Sequence, residues 1–295
     1  MSKVSGDGKR KSGEDGRTGK GKAAGAASRG RQRQESADHF VSIRIDDVVA
    51  LDGLRKVQEA VVAIEPEAAP TLIAIPKIHL TLCVLRLGRG DEPAGIAAAR
   101  RILDAAAPGI QAVMAKLRDA ADGVQPAIRL AGLESFRNGQ VLFAQVPPWA
   151  RAATLAHSSL TNVDVIGALQ EIAADLHARF DAEGLAFPPQ QPWAGFTPHC
   201  TLAKSRTSVK ARPALCRAVP RVTQSITVFG DQDLVALDLC RMEAVDDDGY
   251  YATRASISLL HSESKPPAVM SARAAVASAL PLVLEPGVAS HADVV

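Results

Sequence analysis

Cysteine is sparse in this chain, and its placement excludes several chemistries. The four cysteines, Cys83, Cys200, Cys216 and Cys240, form no Cys-x-x-Cys pair. No zinc-ligand spacing is present. Buried free thiols in a reducing compartment are expected, because free cysteine packs as a small hydrophobe. Long apolar runs are missing too. No segment approaches the length of a membrane span, and the first residues lack the apolar core of a secretory signal. A soluble protein of the cytoplasm or nucleus is therefore expected. An excess of one charge is also lacking: the formal net charge is only +2 and the chain beyond residue 35 is slightly acidic, so a basic nucleic-acid-binding face over the whole fold is not indicated. Asp246-Asp247-Asp248 lacks the spaced oxygen ligands and terminal Glu of a calcium loop, and reads as a solvated turn. Neither a metal nor a cofactor is expected.

What is present begins with a basic leader. Residues 1–35 hold ten Lys or Arg against four Asp or Glu, leaving 24 basic and 28 acidic residues in the rest. Residues 1–37 have almost nothing to bury and cannot offset the entropy of ordering, so a disordered tail is expected. Lys9-Arg10-Lys11 is open to two readings, a nuclear or RNA-touching element and a solvated lead with no role. One domain is expected over residues 38–260, followed by a poorly defined extension over 261–295 with at most a short helix near Met270–Leu280.

Within the domain, Val41, Ile43 and Ile45 alternate as a strand does, while Leu51, Leu54, Val57, Val61 and Ile64 have helical spacing. Strands are also expected over Ile78–Leu85, Ile128–Leu133, Gln140–Val146, Cys200–Ala203, Val222–Phe229, Leu234–Met242 and Tyr250–Leu259. Asn138-Gly139 predicts a tight reversal between the third and fourth. Gly230–Asp233 predicts a hairpin joining Val222–Phe229 to Leu234–Met242. Helices are expected over Ala94–Ala106, over Ile110–Leu117, and along the stripe Val165, Leu169, Ile172, Leu176 and Phe180. Strands interleaved with helices and turn-linked strand pairs indicate an α+β fold.

The most informative feature is an internal repeat. Ile78-His79-Leu80-Thr81-Leu82 recurs 120 residues later as Pro198-His199-Cys200-Thr201-Leu202. Alternate side chains of a strand share a face, so each copy offers an imidazole and a hydroxyl to one side, with apolar residues behind. A single His in a strand is most often structural. Two equivalent copies point to a shared site.

These paired His-x-Thr-x tetrapeptides resemble the signature of the two-histidine (2H) phosphoesterases. The chain is most similar to the group around the central domain of A-kinase anchoring protein 18. The similarity is carried by Phe40–Ile45, Pro76–Leu82, Leu133 with Val141–Val146, Gly195–Ser205, Leu237–Met242 and Gly249-Tyr250-Tyr251, and spans about residues 38–259. Cys200 stands where such domains often carry Leu. The resemblance implies a bilobal α+β domain with pseudo-twofold symmetry, its antiparallel sheets lining a central cleft. It also implies a phosphate site made by His79, Thr81, His199 and Thr201.

In such a site one neutral imidazole takes a proton from water or a ribose hydroxyl, and a protonated one gives a proton to the leaving oxygen. The threonine hydroxyls donate to the non-bridging oxygens. His199 as base and His79 as acid is the arrangement favoured at this level. Lys204 reads either as an anion-binding group or as a solvated strand-end lysine, and Phe196 either stacks on a base or packs the lobe. Tyr250 and Tyr251 are further stacking candidates, whereas His39, His157, His177, His261 and His291 have no partner at ligand spacing. Two functions follow from the resemblance. One is a metal-independent phosphodiesterase acting on RNA ends, 2',5'-linked oligoadenylate or 2',3'-cyclic phosphate. The other is an AMP- or CMP-binding sensor or scaffold module. A nucleotide, short RNA or oligoadenylate is the expected partner of a monomer. The segment Met270–Leu284 lacks the long regular face that kinase anchoring would need.

Overall fold

The computed structural model describes residues 36–88, 93–150, 152, 160–188, 196–205, 210–224 and 227–260. The basic leader, the extension beyond 260, and His157, His261 and His291 lie outside the described residues. The elements run β1 (His39–Arg44), α1 (Val48–Ile64), β2 (His79–Leu85), α2 (Pro93–Ala120), β3 (Ala127–Ala131), β4 (Leu133–Phe136) and β5 (Val141–Gln145). They continue with α3 (Asn162–Ala182), β6 (His199–Lys204), α4 (Ala211–Val222), β7 (Val228–Asp233), β8 (Ala236–Val245) and β9 (Tyr251–Ser258). Two short 3-10 turns, Pro66–Thr71 and Ile75–Lys77, fill the proline-rich stretch before β2.

Seven strands form one sheet in the order β4-β5-β6-β2-β1-β8-β9, and β3 pairs with β7 apart from it. Every pairing is antiparallel. The sheet consists of two halves, β6-β5-β4 and β2-β1-β8-β9. They meet at a single paired position, Leu80 opposite Cys200. Chain order reveals the pseudo-twofold relation. The series β7-β8-β1-α1-β2-α2, read across the ends of the domain, matches β3-β4-β5-α3-β6-α4 element for element. The two self-paired contacts, β2 with β6 and β3 with β7, straddle the axis. Strand β9 has no counterpart among the described residues.

Local chemistry accounts for the main elements. Asp47 caps α1, its Oδ1 accepting from the N–H groups of Val49 (3.0 Å) and Ala50 (2.8 Å). This satisfies donors that an uncapped helix leaves open. Thr161 and Asp164 form a reciprocal capping box on α3. The stripe Val165, Leu169, Ile172, Leu176 and Phe180 is buried in the core as its spacing requires. No helix among the described residues is long and apolar enough to cross a membrane.

Three local expectations are corrected, and one helix was not expected. Residues 94–117 form one helix through Pro108, because a proline removes one ladder donor while the buried stripe continues on both sides. The strand expected over 128–133 breaks at Gly132, whose φ of +75° favours glycine and turns β3 away from β4. Helix α4 carries Pro213 and Pro220, which hid it from a propensity reading. The hairpin expected to join Val222–Phe229 to Leu234–Met242 does not form: Val222 ends α4, and Gly230–Asp233, the expected turn, lies inside β7. Instead β7 pairs with β3, while β8 lies between β1 and β9.

The reason is tertiary: β7 is seated on the start of α1. A Cβ built at Gly230 would lie 2.8 Å from the Ala50 nitrogen and 2.9 Å from its Cα, so only glycine permits this approach. Gly230→Ala is expected to cost about 1–3 kcal/mol, read as a lowered denaturant midpoint with unchanged slope.

Candidate functional site

The β2–β6 pair builds the site. Leu80 and Cys200 face each other and are buried, so their neighbours turn to the opposite face. Extending the antiparallel pairing by one residue each way sets His79 beside Thr201 and Thr81 beside His199. All four are half-buried. With strands about 4.8 Å apart and a rise of about 3.3 Å per residue, the two histidine Cα atoms stand about 8 Å apart on the diagonal. Two imidazoles and two hydroxyls thus occupy alternating corners of one small face.

Each tetrapeptide carries the same irregularity. The register slips so that Leu82 in β2 and Leu202 in β6 are extra residues, β-bulges directly after the threonines. The bulge carbonyl of Leu202 accepts from Gln58 Nε2 (2.9 Å) and from the Ile73 N–H (2.9 Å). Gln58 also donates to the Ile73 carbonyl at 2.6 Å, so α1 clamps the His199 strand through a buried amide. The bulge has a second effect. It places Ala203 in the core and Lys204 on the exposed side, opposite Val141.

The histidines are held alike. His79 Nδ1 lies 2.8 Å from the Lys77 carbonyl, and His199 Nδ1 lies 2.8 Å from the Thr197 carbonyl. A carbonyl only accepts, so each Nδ1 carries the proton and each neutral ring keeps its lone pair on Nε2. Their surroundings differ. His79 stacks on Phe40 (4.6 Å, 24°) and meets Tyr251 edge-on at 5.5 Å. His199 meets Phe136 and Phe143 edge-on at 5.1 and 5.2 Å.

Burial pushes the His79 pKa down to about 4; the hydrogen bond to Lys77 opposes the shift, and the nearby charge of His199 adds to it. The folded pKa therefore lies below the usual value near 6.5, so the fold favours neutral His79. That stability is complete above about pH 6.5 and is lost as the pH falls toward 4, by up to about 3 kcal/mol. A His79→Gln variant is expected to lose less stability than the wild type between pH 7 and pH 4.5, as read by urea unfolding at both values.

Not every expected residue comes together here. Lys204 shares the His199 face, at the strand end. Phe196 does not: it is 8% exposed and packs in the main core, which leaves it no face for a base. Tyr251 stands beside His79, whereas the Tyr250 hydroxyl is 3.1 Å from Ser42 Oγ in a buried cluster. His39 is buried and paired with Asp38 at 2.8 Å. Cys83, Cys200 and Cys240 are buried free thiols, and Cys216 is free and half-buried. Among the described residues no three His, Cys, Asp or Glu side chains gather as metal ligands.

Several flanking residues were not singled out from sequence. Arg44 lies opposite His79 across β1, with its guanidinium 4.6 Å from the Tyr250 ring centre and paired to Asp248 at 2.5 Å. Gln145 holds the matching place opposite His199. Asp238, across from Ser42, has its carboxyl pKa raised by burial, with Ser256 and Arg44 opposing. Phe40 was legible, since it alternates with Ser42 and Arg44. Phe136, Phe143 and Asp238 reach the site only through strand register.

The model of the AKAP7 2'5' RNA ligase-like domain family matches residues 37–259. Human A-kinase anchor protein 7 isoform gamma is 23% identical over 232 residues, covering 77% of this chain and 58% of that protein. The chain thus spans a little over half the length of that relative. Among solved structures, Escherichia coli LigT complexed with 3'-AMP aligns at 15% identity and a TM-score of 0.40, over 77% of this chain and 100% of LigT. A structure described as a phosphoesterase aligns with the same identity, coverage and TM-score. Matched across both histidine tetrapeptides, this chain belongs to the AKAP7 2'5' RNA ligase-like domain family, within the anchoring-protein group of the two-histidine phosphoesterases.

Proposed function

We propose that the chain is a phosphodiesterase whose two histidines cleave a nucleotide phosphodiester without a metal. The substrate class is 2',5'-linked oligoadenylate, 2',3'-cyclic phosphate or an RNA end. The observation that carries this reading is the matched fixing of both rings, each with Nδ1–H committed to a carbonyl two residues earlier. That leaves two Nε2 atoms for one phosphate, and a proton acceptor and donor on opposite sides are what the displacement needs.

We assign the roles from the surroundings of the two rings, His79 stacked on Phe40 beside Tyr251 and His199 met only edge-on by Phe136 and Phe143. His79, neutral down to about pH 4, takes the proton from water or a ribose hydroxyl. His199 in its protonated form gives one to the departing oxygen. This proposal is the opposite of the arrangement favoured from sequence, which could not weigh the surroundings of either ring. Thr81 and Thr201 donate to the non-bridging oxygens as charge builds there. Lys204 supplies positive charge at the edge.

A second reading has its own support. The same burial that keeps His79 neutral makes it a weak base, which suits a nucleotide monophosphate-binding module with little turnover. Incubation with 2',5'-oligoadenylate, 2',3'-cyclic AMP and a 3',5'-linked oligonucleotide in a chelator separates the two. Release of product supports the enzyme. Intact substrate alongside AMP or CMP binding supports the module.

A further inference from the structure

The pseudo-twofold axis makes the two halves of the cleft directly comparable, position by position. His79 with Thr81 match His199 with Thr201, so the reacting groups are equal. The rows beside them are not. On one side the row runs Lys204, Val141, Phe136; on the other it runs Val84, Phe40, Cys240. The next row runs Thr201, Phe143, Glu134 against Thr81, Ser42, Asp238.

Where the His199 half carries Phe143, the His79 half carries Ser42, and the freed volume is taken by Tyr250, which leads into β9. Tyr251, the first residue of β9, then closes over Phe40 (5.0 Å) and His79, with the Lys77 ammonium 5.2 Å from its ring centre. The rings of this half are spent on one another.

In the His199 half no strand among the described residues covers β4, which is the sheet edge there. Phe136 lies there 37% exposed. One of its faces is taken by buried Phe143, at 4.2 Å and 25°. Its exposed surface is therefore the other face and rim, and its edge contact with His199 fixes it next to the phosphate corner. The turn behind it is set by Arg137, Asn138 and Gly139, all at positive φ, so the ring stands on a defined hairpin.

Resting on the nucleotide reading above, we propose that Phe136 is the base-stacking platform, so that a nucleobase, preferentially a purine, lies on the His199 half of the cleft. The base continues the Phe143–Phe136 stack outward, its sugar passes His199, and its phosphate lies between the histidines with Lys204 in the same row as the ring. Stacking is sequence-tolerant because every base has a π-face, and it grows with ring area.

The test is calorimetric titration of the full chain with AMP, CMP and ribose 5-phosphate, the last offering the phosphate without a base. Wild type is expected to bind AMP most tightly. Phe136→Leu, which keeps apolar bulk on Phe143, and Phe136→Ala should each weaken AMP roughly 5- to 150-fold and leave ribose 5-phosphate as in wild type. Phe136→Trp should restore AMP binding and add tryptophan emission above that of Trp149 and Trp193, and AMP should quench this added part while leaving wild-type emission unchanged. Unchanged AMP affinity in Phe136→Leu overturns this proposal alone. So does equal weakening of AMP and ribose 5-phosphate. Failure of wild type to bind any of the three ligands overturns the nucleotide reading with it.

Discussion

Alanine at His79 or at His199 is expected to lower phosphodiester turnover by about 10²–10⁴-fold, the range of a positioned acid or base. The double variant should fall little further, because the two imidazoles serve one displacement and act as a unit. The pH profile discriminates more sharply. The acid limb of kcat/KM reports the base in the free enzyme, and with His79 pushed down to about 4 by burial that limb should lie well below 6.5. The apparent values belong to the coupled pair. An acid limb near 6.5, or a His79→Ala variant with wild-type turnover, would remove His79 from the role of base. His199→Ala with full turnover would likewise remove the acid.

The largest effect on stability is expected from a residue that touches no substrate. Gln232 is buried on β7, and its Oε1 accepts from the N–H groups of Asp46 (2.8 Å) and Asp47 (3.0 Å). Its Nε2 donates to Asp46 Oδ1 (2.8 Å) and to the Asp233 carbonyl (2.9 Å). One side chain therefore ties β7 to the junction of β1 and α1. Gln232→Leu keeps the approximate volume and removes all four bonds, leaving two backbone donors without their acceptor. With about 1–3 kcal/mol per orphaned group, moderated by the exposure of Asp46, the loss should be about 2–4 kcal/mol. Urea unfolding measures it. A midpoint within error of wild type would show that water replaces the amide at no cost.

Gln232 also marks the boundary of what linear pattern reaches. Hydrophobic period identified β1, α1 and α3, because burial on one face leaves its mark on consecutive residues. The paired tetrapeptides were equally plain, since repetition is visible without coordinates. The partner of β7 was not. A hairpin with β8 is the nearest pairing along the chain, but Gly230 and Gln232 find their reason at Ala50 and Asp46, far off in sequence. The single helix through Pro108 is a case of the same kind, with burial along both halves outweighing one missing donor.

The site divides in the same manner. His79, Thr81, His199 and Thr201 could be read from the order of residues, because a strand's alternation decides which side chains share a face. Their identity, and the family they mark, needed nothing more. Folding decided the inequality of the two halves: which imidazole is stacked on a neighbouring ring, which aromatic ring is covered by Tyr250 and Tyr251, and which is left at the edge of the described sheet. Desolvation and cross-strand neighbours are properties of chain segments brought together from a distance, and no local pattern of residues encodes them.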